Sequence, residues 1–293
     1  MIVVLGSINI DQIYHVDQLP TPGETRMGKG YLQVPGGKGA NQALAARRAG
    51  ADVVMVGAVG RDNNAQAALS LMAKDGVRLD KLKISSNPTG SASIWVGENA
   101  ENSIIVNGGA NMDVSADQLS DDILKDATYL MMQMEIPAEE VSEAAKMAKS
   151  AGVKTILNLA PYQDVDLSLF QHIDILVVNE TEARNIAHKV SANTDSYEDM
   201  CMQLSVDLSL TCVLTMGEKG VCYLQDNLIL QIPANKVSAV DTTAAGDCFC
   251  GYLVADLDAG NTIKTAIEKA NKAASLSCMV EGSQNSVPWK TDI

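Results

Sequence analysis

A chain of 293 residues with 46% hydrophobic residues has ample material for a core and is excluded from the disordered class. Its formal net charge of −14 repels nucleic acid and anionic membrane surfaces, which removes both as general partners. The six cysteines contain no Cys-x-x-Cys pair, and three histidines are too few to complete a zinc site with them, so they read as reduced thiols of a cytoplasmic protein.

The chain opens on "MIVVLGSINID", apolar but without a basic leader and too short to span a bilayer. It reads as a first buried strand over Ile2–Asn9. An Ala-rich helix follows from Gly39 to Gly50, then a strand over Asp52–Val59 and a helix over Asn63–Lys74. Later strands are expected at Tyr129–Gln133, Thr155–Ala160, Asp174–Asn179 and Cys212–Gly217, with helices at Pro137–Ala151, Glu180–Ala187 and Ser196–Leu204 between them. Near-continuous apolar strands suit a parallel sheet covered by helices on both faces, in a single domain over 1–293. Two stretches break this rhythm. Residues 12–35 contain no helical pattern, and Ser91–Val96 with Ser103–Val106 reads as a hairpin around the polar turn "GENAEN". These segments, about 12–35 and 91–106, are either surface loops or a small second sheet forming a lid over the strands' C-terminal edge, where α/β folds bind ligands. The edge of such a lid could pair with a second copy, giving a homodimer.

Several motifs fall at the expected ligand edge. "GSINID" places Asn9 and Asp11 just past the first strand, as turn formers or as ligands. "GGKGAN" opens a helix without the spacing of a Walker A loop; it is a plain Gly-rich turn or a site where Gly37 admits a ligand beside Lys38 and Asn41. "QME" ends a strand on Glu135, and the four polar residues Asn9, Asp11, Asn41 and Glu135 together would bind several hydroxyls, as a sugar requires. In "NETEAR", Asn179 or Thr181 caps a helix, or Glu182 organises water around a magnesium ion beside phosphates. "TMGEKG" is a strand–turn–strand whose glycines could admit a nucleotide. Finally, "DTTAAGDCF" follows a strand-like "KVSAVD" and leads into the helical "FCGYLVADL". Its small residues would expose consecutive N–H groups at a helix start, an anion cradle. Asp247 in that first turn is either a cap or a base that deprotonates a hydroxyl while the cradle holds a phosphoryl group.

In this order, over nearly the whole length, "GSINID", "PTPGET", "GGKGANQA", "MQME", "NETEA", "TMGEKG", "DTTAAGD" and "GSQNSVP" resemble the ribokinase family of ATP-dependent sugar kinases within the wider PfkB group. The resemblance implies a Rossmann-like three-layer α/β fold with a β-sheet lid, and phosphorylation of a sugar's primary hydroxyl by ATP. Asp247 would be the base, with Ala245, Gly246 and Asp247 forming the anion hole. Asn9, Asp11, Gly37, Lys38, Asn41 and Glu135 would hold the sugar. Asn179, Thr215, Gly217, Lys219, Gly220, Gly246 and Asn271 would contact ATP, and Asn179 with Glu182 would support Mg2+. An activating K+ would sit among Asp241, Thr243, Ser277, Val280, Gly282 and Ser286. The chain departs from the family in "LNLAPY", where members usually show "LNPAPA", and in ending soon after "VPWKTDI" without the usual final helix. D-ribose is the first substrate expected. A nucleoside kinase would need room for a base beside Ile94, Trp95 and Asn107, and a non-catalytic sugar-binding protein is opposed by the intact Asp247.

Overall fold

The computed structural model describes residues 1–98, 101–192 and 196–293. Its first half runs β1 (Ile2–Leu5), β2 (Asn9–His15), β3 (Gly30–Gly36), α1 (Lys38–Arg48), β4 (Val53–Val59), α2 (Asn63–Asp75), β5 (Arg78–Ile84), β6 (Gly90–Val96) and β7 (Asn102–Asn107). The second half runs α3 (Asp121–Asp126), β8 (Tyr129–Met132), α4 (Ala138–Ser150), β9 (Lys154–Asn158), β10 (Ile175–Asn179), α5 (Glu180–Lys189), α6 (Tyr197–Asp207), β11 (Thr211–Thr215), β12 (Val221–Gln225), β13 (Leu228–Ile232), α7 (Ala245–Asp258) and α8 (Ile263–Ser277).

Nine strands form the main sheet in the order β13-β12-β11-β10-β9-β8-β1-β4-β5. Neighbours from β11 through β5 are parallel, while β12 and β13 add an antiparallel hairpin at one edge. From β1 the chain builds outwards in one direction through β4 and β5, and in the other through β8 to β11. That reversal opens a crevice beyond the strands' carboxyl ends, the usual ligand site of such sheets.

Strand composition explains the three layers. All seven residues of β4 are buried, and they alternate between two separate cores: Val54, Val56 and Ala58 on one face, Val53, Met55 and Val59 on the other. Helices α3, α4, α5 and α6 cover the first face, and α1, α2, α7 and α8 cover the second. Burying each Val, Leu or Ile side chain contributes roughly 1.5–3 kcal/mol. Between α1 and α7 the approach leaves no spare volume, since a Cβ on Gly251 would lie 2.4 Å from Ala45 Cβ and 2.6 Å from the Gln42 carbonyl oxygen. That contact sets the start of α7 against α1. No helix among the described residues is long and apolar enough to cross a membrane.

The second sheet has the order β3-β2-β6-β7, with β2 and β6 parallel and the outer pairs antiparallel. The expected hairpin is therefore β6–β7, although residues 99–100 of its turn lie outside the described residues. Two boundaries beside the cleft differ from the sequence reading in a way that moves a site residue. The first strand ends at Leu5 rather than Asn9, and the lid begins at Asn9 rather than Gln12. The reason lies at Gly6, where a Cβ would meet Gln133 Oε1 at 2.0 Å and Gly39 Cα at 2.9 Å; the chain leaves the main sheet there and Asn9 starts a new one. "KVSAVD" is not a strand but an exposed loop. Its Val237 and Val240 are 36% and 68% exposed, so the apolar alternation there marks no buried face.

Candidate active site

The site begins where β1, β8, β9 and β10 end. Ser7, just after β1, donates its hydroxyl to Glu135 Oε2 at 2.6 Å. The same carboxylate oxygen accepts the Lys38 backbone N–H at 3.0 Å, while Gly39 N–H donates to Ser7 Oγ at 3.2 Å and Ala40 N–H to the Ser7 carbonyl at 2.9 Å. Glu135 and Ser7 thus cap α1, a helix whose own N-cap, Gly37, has no side chain to do so. The first amides of "GGKGAN" are thus engaged in this cap. Gly37 is still required, with φ of 89° and a would-be Cβ 2.7 Å from the Asn9 nitrogen.

Around that cap the predicted sugar-binding residues converge. Asn9 is 4% exposed and its Oδ1 accepts Asn111 Nδ2 at 2.7 Å, while Asn111 Oδ1 accepts the Ile8 amide at 2.9 Å. Asp11 follows two residues along the same face of β2, packed where Gly36 leaves room for its carboxylate. Burial, aided by the nearby charges of Glu135 and Asp247, raises the Asp11 pKa to about 7, with Lys38 pulling the other way. Lys38 in turn is held above its usual pKa, first by the charge of Asp247 against the cost of burial, then by Glu135 and Glu182. One fixed cation therefore faces four carboxylates.

An expected consequence follows for Asp11. An ionised carboxylate accepts hydrogen bonds from two hydroxyls, a protonated one gives up an acceptor. The folded pKa near 7 means that the ionised form is lost as pH falls through that value. If Asp11 binds substrate hydroxyls, the KM of that substrate should rise several-fold between pH 8 and pH 6, and Asp11→Asn should abolish the dependence while raising KM throughout. A KM that is flat over this range in the native protein would refute it.

Asp247 occupies the first turn of α7 and is 6% exposed. Both of its oxygens are engaged: Asn41 Nδ2 donates to Oδ2 at 3.0 Å and Gln42 Nε2 to Oδ1 at 2.9 Å. The cap of α7 is Ala244, which has no side-chain hydrogen bond to offer the helix start. Elsewhere Asp62, Asn179, Ser196 and Thr262 cap their helices with side chains. The uncapped start of α7 leaves amide dipoles directed at the cleft beside a carboxylate. A Cβ on Gly246 would meet no atom within 4 Å, so Gly246 stands against open space.

That open space is a cleft of about 1090 Å³. Asn179, Thr215, Gly217, Lys219, Gly220, Gly246 and Asn271, each expected at the nucleotide, all line it, and Lys38 and Asp247 line it too. This cleft and the polar cluster around Asn9, Asp11 and Lys38 thus meet at Asp247. Within it, Asn179 is the helix cap: its Oδ1 accepts the amides of Thr181 and Glu182, both at 2.9 Å, and Glu182 Oε2 returns a bond from the Asn179 amide at 2.8 Å. The Asn179 side-chain oxygen is therefore committed to α5 rather than presented to a metal. Glu182 is 6% exposed on the cleft wall, and burial raises its pKa. Lys219 stands at the rim, ion-paired to Glu180 at 3.4 Å and over the Tyr197 ring at 5.0 Å. Asn271 Nδ2 donates to the Pro233 carbonyl at 2.8 Å.

The two loops expected to enclose a monovalent cation do come together. Asp241 Oδ1 accepts the Thr243 amide at 2.9 Å and its hydroxyl at 2.5 Å, and Asp241 Oδ2 accepts the Gly282 amide at 2.9 Å. Burial opposes ionisation of Asp241, but the hydrogen bonds from Thr243 and Gly282 outweigh it and hold its pKa below the usual value. The amides of Val240 and Asp241 donate to the Cys278 carbonyl, the Val280 amide to the Ser277 carbonyl, and Ser286 Oγ to the Ser283 carbonyl. Among the described residues no three His, Cys, Asp or Glu side chains form a metal-binding group.

Sequence reasoning missed Ser7, Gln42, Asn111, Gln133 and Asn158, all buried polar residues around the predicted set. It also grouped Ile94, Trp95 and Asn107 as one wall. The register pairs Asp11 with Ala92 and Ile13 with Ile94, whereas Trp95 pairs with Tyr14 and Asn107 with Ser91. Strand alternation therefore puts Ile94 on the face of Asp11, and Trp95 and Asn107 on the opposite face.

Comparisons with known proteins fit this geometry. The chain is 36% identical over 298 residues to the ribokinase of Staphylococcus aureus, covering 100% of this chain and 98% of the relative. It is also 36% identical over 301 residues to a bifunctional ribokinase/ribose-5-phosphate isomerase A of Fructilactobacillus sanfranciscensis, where all of this chain spans 55% of the longer protein. The structure of Arabidopsis thaliana ribokinase complexed with ribose and ATP superposes with a TM-score of 0.89 at 31% identity, over 99% of this chain and 96% of that one. The pfkB family carbohydrate kinase pattern matches residues 1–290, and the chain belongs to that family.

Proposed function

We propose that this protein is a ribokinase, transferring the γ-phosphoryl group of ATP to the 5-hydroxyl of D-ribose. The observation that carries the reading is Asp247, held at the uncapped start of α7 where the hydroxyl-binding cluster meets the nucleotide cleft. The likeness to named ribokinases, and to one that holds ribose and ATP, supports it. Asn9, Asp11, Lys38 and Asn41 would orient the sugar so that its primary hydroxyl lies against Asp247, and Glu135 would act chiefly by capping α1. Asp247 accepts the hydroxyl proton. The amides of Gly246 and Asp247 receive the charge of the transferring group, with Lys38 beside them, while that of Ala245 donates to the Thr242 carbonyl at 3.3 Å. Such transfer depends on positioning and electrostatics more than on covalent chemistry. Magnesium, bound through the nucleotide's phosphates, would supply further charge neutralisation, and the buried Glu182 fits a role in ordering its water. Asn179 would reach the phosphates through its amide N–H groups, given its committed oxygen. With Trp95 and Asn107 on the far face of β6 and β7, only Ile94 remains of the wall proposed for a base, which favours a free sugar over a nucleoside.

Asp241, which ties the two loops together, would hold a monovalent cation with their carbonyls and thereby fix the start of α7. The lid face that carries Asp11 also exposes Leu32, Ile104 and Val106, which we read as a homodimer contact; sedimentation as a monomer alone at working concentration would remove it. The six unpaired cysteines suit a cytoplasmic setting.

One assay tests substrate and cation together: ADP release with ribose, deoxyribose, fructose 6-phosphate, adenosine and inosine, each in K+ and Na+ at equal ionic strength. Ribose should give the highest kcat/KM, and K+ should raise kcat more than Na+ with little change in KM. A higher kcat/KM for adenosine overturns the ribose assignment. Equal kcat in both salts overturns the cation role and leaves the sugar assignment standing.

A further inference from the structure

Gln42 lies outside both sets of ligand-binding residues, yet it is 0% exposed and touches the base directly. Its three polar contacts admit one orientation. Nε2 donates to Asp247 Oδ1 at 2.9 Å and to Asn158 Oδ1 at 3.1 Å, and Oε1 accepts Gln133 Nε2 at 2.7 Å. Asn158 is itself oriented by its Nδ2, which donates to the Val177 carbonyl at 3.2 Å. Gln133 packs against Gly6, where a Cβ would strike its Oε1, but that oxygen has no hydrogen-bond partner, so Asp247 and Asn158 set the Gln42 orientation. Turning the Gln42 amide over would face its oxygen to the Asp247 carboxylate and to Asn158 Oδ1, and its NH2 to the NH2 of Gln133. Every one of those contacts is repulsive. The ends of β9 and β10 thus fix one side-chain amide on α1, and that amide fixes one carboxylate oxygen on α7.

We infer that Gln42, locked by Asn158, is a positioning residue for phosphoryl transfer: it aims the Asp247 carboxylate at the acceptor hydroxyl. Asn41 holds the other oxygen but lies in the sugar cluster, with its own Oδ1 buried and unpartnered. Gln42 has no such second task. The other charged groups facing Asp247 are Lys38 on α1, Asp11 on β2 and Glu182 on α5, with the Cys248 and Cys250 thiols on its own helix. Glu135, after β8, faces Asp11 and Lys38 in the same cluster. Asn41 and Gln42 each fix one oxygen of the carboxylate, and of the two only Gln42 lies outside the polar cluster around Asn9 and Asp11.

The inference rests on Asp247 as base, and the test separates the two. Single-turnover transfer at saturating ribose and ATP, and ribose affinity, would be measured for Gln42→Met, which keeps the volume and removes the donor. The rate should fall about 10–100-fold, as a misplaced reacting group costs. Ribose affinity should stay within about threefold of native. Asn158→Leu, which frees the amide without touching Asp247, should give a smaller change of the same kind, and it decides the matter if Gln42→Met does not fold. A rate within twofold of native, or a ribose affinity that falls as far as the rate, overturns the positioning role. If Asp247→Asn is inactive while Gln42→Met behaves as native, this inference alone fails; if Asp247→Asn is active, the base assignment fails first.

Discussion

Asp247→Asn is expected to lower kcat by about 10²–10⁴-fold, the usual cost of losing a general base, with the protein still folded and ribose KM little changed. The structure explains why folding should survive. In the native protein, amide groups of Asn41 and Gln42 both donate to Asp247, so an asparagine there sets a donor against a donor at one oxygen position. Gln42 cannot turn over, but Asn41 can, because its Oδ1 has no partner where it lies. A flipped Asn41 would accept the new N–H, and one hydrogen bond replaces another. What no rearrangement restores is a proton acceptor beside the acceptor hydroxyl. The measurement is kcat and KM on purified protein with a native thermal transition. More than about half the native activity would exclude Asp247 as base.

The sequence made Asp247 legible for a physical reason. An acid directly after Thr-Thr-Ala-Ala-Gly and directly before an apolar helical run can only be a cap or a reacting group, and the small residues favour a ligand. Gln42 carried no comparable signal. It sits inside an Ala-rich helix where Gln is an ordinary helix former, and its importance comes from α7 reaching α1 at Gly251, a contact some 200 residues away in the chain. Glu135 was legible as a polar strand end, but its use as a cap for α1 depends on the Ser7 contact and shows only in three dimensions. Among the elements, the buried parallel strands announced themselves by continuous apolar runs. β5, "RLDKLKI", did not, because every second or third residue is charged at the exposed edge of the sheet. "KVSAVD" misled in the opposite sense: its alternation is that of a strand, but no neighbour pairs with it. Asn9 was placed at the end of a strand and instead begins one, since the break at Gly6 is imposed by Gln133 packing against it.

The second large effect is expected at Gly246, where stability and activity should move in opposite directions. Gly246 lies in the first turn of α7, in a conformation open to any L-residue, and an added Cβ would touch nothing within 4 Å. Gly is less favourable than Ala by up to about 0.8–1 kcal/mol in a helix interior, so Gly246→Ala should leave the thermal transition unchanged or raise it by a few degrees at most. The space that Cβ enters is the cleft beside Asp247, where the proposed transfer brings the phosphoryl group to the amides of Gly246 and Asp247. Pushing that group away weakens interactions made chiefly in the transition state, and loss of a single oxyanion-hole donor costs about 10²–10³-fold in kcat. The comparison with Gly251→Ala sharpens the test. There a Cβ would collide with Ala45 and the Gln42 carbonyl, so that variant should lose stability as well as activity. Thermal denaturation and steady-state kinetics on the pair would separate the two roles of glycine on one helix. If Gly246→Ala keeps native kcat, the start of α7 is not where the phosphoryl group is held, and the anion hole must be sought elsewhere along the cleft.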